Sequence, residues 1–264
     1  DDKSIATKEY VDRLTPKNGF KKFGTWSSRN VNSSFYRQTF YISQDDKLMT
    51  AGHGNNYNMN GESDEYISGY TAPMIPLAKG EYVTEYYYSG LGAPSIYVLT
   101  NLKNLYASGY NGYGQLGLGD KTARQVFTKI PLSNVEFFSA SHGWGDATHA
   151  GAITTDGSLY MWGHGAQGQL GLNGLFDVLS PTKVPGTGPG GIIAKKVFTY
   201  SQWSCSYYID SNRNVRSCGY NQYGNLGTGD LTQRNVFVLP QGGRKADDIQ
   251  CNSYDARMTT YLVE

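Results

Sequence analysis

A few places in the 264-residue chain gather residue types that can do chemistry. In Ser141-His-Gly-Trp-Gly-Asp-Ala-Thr-His149, His142, Asp146 and His149 lie within eight residues, a donor set that could ligate a metal ion. Its spacing also fits a glycine-relieved loop whose histidine is simply hydrogen-bonded. His53 and His164 each follow a glycine at corresponding places where Tyr110 and Tyr220 stand elsewhere. A position that accepts either His or Tyr points to packing, not proton transfer. Gly117-Leu-Gly-Asp120 and Gly227-Thr-Gly-Asp230 lack the following Lys-Ser/Thr of a phosphate loop, so their aspartates read as turn caps. No nucleophile elbow occurs, and the scattered acids form no pair of the kind glycoside hydrolysis needs. The expectation is a chain without catalytic residues, metal or cofactor. Exposed aromatics are the better candidates for function. Tyr86, Tyr87, Tyr88, Trp144 and Trp203 each precede a strand that opens a unit, so with His142 they are expected on loops at one end of the fold. Aromatic rings beside Asn and Asp suit recognition of a sugar or a protein, because they bury area at low entropic cost.

Composition indicates the elements that hold them. The chain has 33 Gly and 22 Tyr, with only 17% charged residues. Glycine supplies turns at positive φ and tyrosine suits a pleated, half-buried surface, so many short strands are expected and long helices are not. A net charge of +1 gives no global field towards nucleic acid or an anionic membrane. No apolar run nears the ~20 residues of a spanning helix, no signal peptide opens the chain, and membrane insertion is not expected. Cys205, Cys218 and Cys251 are odd in number and lack CxxC spacing, which reads as small buried hydrophobes.

The strongest signal is internal repetition. Leu105-Tyr-Ala-Ser-Gly-Tyr-Asn-Gly-Tyr-Gly-Gln-Leu-Gly-Leu-Gly-Asp120 returns as Leu159-Tyr-Met-Trp-Gly-His-Gly-Ala-Gln-Gly-Gln-Leu-Gly-Leu-Asn-Gly174. It returns again as Val215-Arg-Ser-Cys-Gly-Tyr-Asn-Gln-Tyr-Gly-Asn-Leu-Gly-Thr-Gly-Asp230, with a degenerate copy at Leu48–Gly61. The anchor glycines Gly52, Gly109, Gly163 and Gly219 are 57, 54 and 56 residues apart. Each unit opens with an apolar strand (Phe40–Ile42, Ile96–Leu99, Ala152–Ile153, Tyr207–Ile209) and turns at a polar hairpin such as Thr155-Asp-Gly-Ser158. A second strand then ends at the anchor glycine. After it come a Gly-rich segment whose Leu116, Leu170 or Leu226 plugs the core, a third strand, and a fourth at Val135–Phe138, Lys196–Phe198 and Asp248–Ile249. Four strands in about fifty residues is the arithmetic of a propeller blade.

Leu159-Tyr-Met-Trp-Gly163 followed by Gly168-Gln-Leu-Gly-Leu172 and Pro181-Thr-Lys-Val-Pro185 resembles the repeat of the regulator of chromosome condensation family over roughly residues 20 to 264. The resemblance implies a β-propeller, usually of seven blades, with a histidine before the first strand at the place of His149. Gln38, Ser95 and Cys205 stand there in the other units. The expectation is an all-β array of about four four-stranded units and a partial fifth (Ile249 to Tyr254, then Met258 to Val263). A chain that stops inside a longer protein, or a partner over a free strand edge, is expected to account for the fifth.

Residues 1–19 stand apart as a linker. Ser4–Leu14 places Ile5, Tyr10, Val11 and Leu14 broadly on one helical face, before Pro16. Ala6-Thr-Lys-Glu-Tyr-Val-Asp12 resembles a stretch of phage tail fibres, which are usually parallel homotrimers. That resemblance implies a virion segment, made in the host cytoplasm. Its propeller would bind a host cell-surface glycan or protein, or act as a rigid joint among other tail-fibre subunits. The alternative is a cellular propeller scaffold binding a protein partner such as a small GTPase. Nucleic acid is expected in neither.

Overall fold

The computed structural model describes residues 20–29, 35–53, 66–89, 94–141, 148–200, 204–251 and 260–263, and these are all-β. The first sheet contains β1 (Phe20–Arg29), β2 (Phe35–Ser43), β3 (Leu48–His53) and β4 (Tyr66–Thr71); the second contains β5 (Val83–Ser89), β6 (Ser95–Thr100), β7 (Leu105–Gly109) and β8 (Arg124–Lys129). The third contains β9 (Val135–Ala140), β10 (His149–Thr154), β11 (Leu159–Gly163) and β12 (Val178–Lys183). The fourth contains β13 (Ala194–Tyr200), β14 (Cys205–Asp210), β15 (Val215–Gly219) and β16 (Arg234–Val238). A pair, β17 (Asp248–Cys251) and β18 (Thr260–Val263), follows. Every sheet is an antiparallel meander in chain order, so the propeller-like array of four units with a partial fifth is the observed fold. The segment 4–14 and the Ala6–Asp12 motif lie outside the described residues.

The phase of the repeat differs from the expected one. Val135–Phe138, Lys196–Phe198 and Asp248–Ile249 do not close the units that precede them; they fall in β9, β13 and β17, which pair with β10, β14 and β18. Each sequence repeat therefore begins on the second strand of one sheet and ends on the first strand of the next. The cause is hydrogen bonding: β9 exchanges bonds with β10 from Val135↔Thr154 to Ala140↔Ala150, while the short connection from β8 only delivers the chain to the neighbouring sheet.

Burial explains why the second strands show no polar alternation. Every residue of β6, β10 and β14 is buried. Ile96 and Val98 pack towards the first sheet with Phe40, Ile42, Val83 and Phe127. Their neighbours Tyr97 and Leu99 pack the other way, with Phe138, Ala150 and Trp162 of the third sheet. A strand covered on both faces reads as a continuous apolar run. Cys205 and Cys218 are buried, as expected of small hydrophobes, while the side chain of Cys251 lies outside the description. Cys205 pairs with Gly219 and Cys218 with Ser206, so the two side chains lie on opposite faces of the sheet.

The anchor glycines are demanded by the backbone. Gly109, Gly163 and Gly219 adopt φ of 112°, 95° and 110°. A Cβ on them would come within 2.3 Å of Pro94 O, 2.8 Å of Thr148 O and 2.2 Å of Ser204 O. Chain density is equally tight between sheets. The Trp162 indole donates to Gln115 O at 2.8 Å, and Cys218 Sγ lies 3.4 Å from Gln169 O. The Gly-rich segment of one unit thus seats under the residue preceding the anchor glycine of the next.

A buried polar seam runs across the same sheets. Ser89 Oγ donates to Ser141 O at 2.6 Å, the His149 backbone N–H donates to Ser141 Oγ at 2.9 Å, and His149 Nε2 lies 2.8 Å from Ser206 Oγ. Burial, with a smaller effect of His164, pushes the His149 imidazole down to about 3, against an opposing Cys205 backbone contact.

Two measurements follow from this packing. Gly163→Ala should lower the unfolding free energy in urea by about 1–3 kcal/mol. Gly190→Ala, at φ 78° with nothing within 4 Å, should cost less. His149 is neutral when folded but takes up a proton near its ordinary 6.5 when unfolded. Its contribution is therefore complete above that value and lost as pH falls towards 3, with a limiting slope of about 1.4 kcal/mol per pH unit. Between pH 6.5 and 4.5, His149→Gln should flatten the larger share of the fall in stability read by denaturation at each pH.

Candidate binding rim

The meander gives the array two ends. One carries the hairpins 101–104, 155–158 and 211–214; the other carries the loops that follow the anchor glycines, 110–123, 164–177 and 220–233. The second end is built from a recurring local design. Past each anchor glycine the next N–H turns inward: Tyr110 N donates to Pro94 O at 2.8 Å, His164 N to Thr148 O at 3.0 Å and Tyr220 N to Ser204 O at 3.0 Å. Asn111 then ties its whole loop. Its Oδ1 accepts from Leu116 N at 2.9 Å, and its Nδ2 donates to Asp120 O at 2.9 Å and Thr122 O at 3.1 Å. Asn221 repeats this with Leu226 N, Asp230 O and Thr232 O at 2.9, 3.0 and 3.1 Å. One buried amide thus satisfies three backbone groups that would otherwise lose their partners.

The third loop departs from that design. Gly165 replaces the asparagine because Phe176 O would lie 2.0 Å from a Cβ there, and Asp177 supplies the tie instead, accepting from Gly165 N at 3.3 Å. Asp177 also takes Lys121 Nζ of the preceding loop at 2.7 Å. Arg124–Asp120 and Arg234–Asp230, each at 2.6 Å, use up the remaining loop carboxylates. Every charged side chain of the three loops therefore has an opposite partner within the array, leaving a rim without net charge.

Several large apolar side chains are exposed on this rim. Phe176 is 62% exposed, Leu231 64% and Tyr223 55%, with Leu175 beside Phe176. Tyr113 meets His164 edge-on across the boundary between units, with centroids 4.9 Å apart, and Tyr220 stacks similarly with Tyr223 at 6.2 Å. Gln169 Nε2 lies 2.9 Å from His164 Nδ1, and burial lowers the imidazole's pKa, so His164 is a packed neutral ring.

The aromatics singled out from sequence fare differently. Tyr86, Tyr87 and Tyr88 are not on a loop: they occupy β5, half-buried, with Tyr86 and Tyr88 against Phe40 (6.1 and 6.2 Å) and Tyr87 edge-on to Phe138 at 4.9 Å. Desolvation raises the Tyr86 hydroxyl to about 12. They pack against the buried clusters without being fully enclosed, because a first strand lies between its own sheet and the adjoining ones. His142, Trp144 and Trp203 lie outside the described residues, as does Asp146, and of the His142–Asp146–His149 donor set only His149 is described. Phe176, Tyr223 and Leu231 are not among the residues that the sequence singles out, because they sit in Gly-rich segments whose leucines read as core plugs; the His-for-Tyr exchange after the anchor glycine is the available signal.

The buried acids are structural. Glu81 accepts from Ala78 N, Thr100 Oγ1, Asn104 Nδ2 and Tyr106 OH at 2.9, 2.7, 2.8 and 3.1 Å. Burial raises its pKa, but the four donors outweigh that and hold it at about 2. Among the described residues no three His, Cys, Asp or Glu side chains group as a metal site would require.

Comparison with known proteins agrees with this geometry. Residues 156–196 match the regulator of chromosome condensation (RCC1) repeat. The chain is 30% identical over 166 residues to the Ultraviolet-B receptor UVR8 of Arabidopsis thaliana, covering 60% of this chain and 36% of the receptor. It is 41% identical over 87 residues to the X-linked retinitis pigmentosa GTPase regulator of Homo sapiens, covering 33% of this chain and 8% of that protein. Human WBSCR16 superposes with a TM-score of 0.68 at 21% identity, over 91% of this chain and 60% of that one. One stretch of the chain thus matches the RCC1 repeat, the fold is propeller-like, and the chain spans well under half the length of these two sequence relatives.

The asparagine ties are directly testable. Asn111→Ala should cost about 2–3 kcal/mol in chemical denaturation by orphaning Leu116 N and two carbonyls. Asn111→Asp should cost more, since it turns a donor into a charge facing those carbonyls and Asp120.

Proposed function

We propose that the chain is a non-catalytic binding module, a cellular propeller scaffold that presents the rim of loops 110–123, 164–177 and 220–233 to a protein partner. The carrying observation is the pairing of rigidity with exposure. Phe176, Tyr223 and Leu231 stand out from loops whose backbone groups are already tied by Asn111, Asp177 and Asn221, so they contact a partner without first being ordered. Large apolar side chains on such a frame are the usual anchors of a protein interface. The named relatives include a GTPase regulator, which makes a small GTPase the first partner to test. The virion reading, with its homotrimer and host-surface glycan or protein, rests on Ala6–Asp12 and draws no support from the rim or the relatives.

Biolayer interferometry against a panel of small GTPases, each loaded with GDP or stripped of nucleotide, tests the proposal. Binding should weaken at least about tenfold in the Phe176→Ser/Tyr223→Ser/Leu231→Ser variant, whose melting stays near wild type because those side chains are exposed. It should change little with salt, since the rim charges are mutually paired. Wild-type affinity in the triple variant would remove the rim from the interface. A trimer by light scattering that binds bacterial cells, with no GTPase bound, would favour the fibre.

A further inference from the structure

Two Asn-Gly dipeptides lie among the described residues, two and ten residues past their anchor glycines, in opposite environments. Asn111-Gly112 is locked: its side chain is fully buried and its amide donates to Asp120 O and Thr122 O, while Oδ1 accepts from Leu116 N. Asn173-Gly174 is open. Asn173 is exposed and holds a left-handed φ of 59°, and its Oδ1 accepts a long hydrogen bond, 3.4 Å from Asn235 Nδ2. Among the described residues no backbone carbonyl accepts from the Gly174 N–H.

From this contrast we propose that Asn173 is a site of spontaneous covalent modification, and that Asn111 is protected. The Gly174 backbone nitrogen attacks the Asn173 side-chain carbonyl carbon. A new C–N bond closes a five-membered succinimide, the amide C–N bond breaks, and the side-chain nitrogen leaves as ammonia with the proton of the Gly174 N–H. Water then opens the ring at either carbonyl, giving aspartate at one and isoaspartate at the other. The balance is one ammonia lost and one water gained, with no oxidant or reductant. Glycine is the favourable follower because it lets the backbone nitrogen approach without a side chain in the way, and asparagine is among the thermolabile residues for this reason.

The place matters as much as the chemistry. Asn173 N donates to Asn235 O at 2.8 Å, and Leu172 bridges to Val236, so this dipeptide is where the third loop is clasped to β16 of the fourth sheet. Isoaspartate lengthens the main chain at that clasp. Either product adds a negative charge to the third loop, next to Gly174, which the Phe176 ring faces, and Lys121 is already taken by Asp177. The modified form thus carries net charge on a rim that otherwise has none.

The test is a time course of the whole purified chain at mildly alkaline pH, followed by peptide mapping and enzymatic isoaspartyl methylation. Product at Asn173 should form at least about tenfold faster than at Asn111, because reaction at Asn111 must wait for an opened state whose population the fold suppresses. In urea-unfolded protein the two rates should converge. Asn173→Gly, which keeps positive φ accessible, should remove product at this position and leave Asn111 unchanged. Equal rates in the folded chain, with convergence still seen in urea, would overturn the proposal. So would an Asn173 that stays intact while Asn111 reacts.

Discussion

The array depends on one constraint: a loop from each unit must slide under the neighbouring sheet with no side chain in the way. Gly117 sits where a Cβ would be 2.8 Å from the Trp162 indole nitrogen, and Gly171 where it would be 2.4 Å from the Phe237 ring. The residues flanking those glycines then do opposite jobs. Leu116 and Leu170 fill the core, while Gln115 O and Gln169 O face the Trp162 indole and the Cys218 thiol of the next unit. The unit therefore has no self-sufficient core. Its stability is a sum of contacts with neighbours, as in other repeat architectures.

That dependence is reinforced by the phase offset. Because β9, β13 and β17 are delivered by one sequence repeat and hydrogen-bonded within the next sheet, every repeat is covalently committed to two sheets. The seam Ser89–Ser141–His149–Ser206 crosses the same boundaries with buried hydrogen bonds. A neutral imidazole suits this place. It can make its bond to Ser206 Oγ without bringing a charge into an apolar interior, where an unpaired ion is far costlier than a polar group. The local geometry and the burial-driven fall in its pKa have one cause.

Much of this was legible before any coordinates. The anchor glycines, the Thr155–Ser158 and Ser211–Asn214 hairpins and the opening strands all fell where spacing placed them, because turn chemistry and apolar runs are local properties. The unit boundary was not legible. The Val135 strand has apolar stretches before and after it in the chain, and sequence does not say which neighbour it bonds to. The Tyr86–Tyr88 run misled for a related reason: consecutive tyrosines look like a display, yet in a strand between sheets each is half-buried against a neighbouring cluster. Phe176, Tyr223 and Leu231 were hidden by the opposite effect, standing in glycine-rich stretches whose rigidity comes from buried Asn111 and Asn221 amides that composition makes look like spacers.

Rigid loops change what an apolar rim can mean. An exposed leucine or phenylalanine on a flexible loop collapses onto its own protein, and its exposure says little. Here Asn111 and Asn221 in two units and Asp177 in the third tie the loop backbone, while Phe176, Tyr223 and Leu231 stay largely exposed. With charges paired off as Lys121–Asp177, Arg124–Asp120 and Arg234–Asp230, little remains for a partner to read except shape and apolar surface. Recognition of that kind gains little from electrostatic steering and relies on fit after contact. A scaffold held to one shape by interlocking units is well suited to supply it.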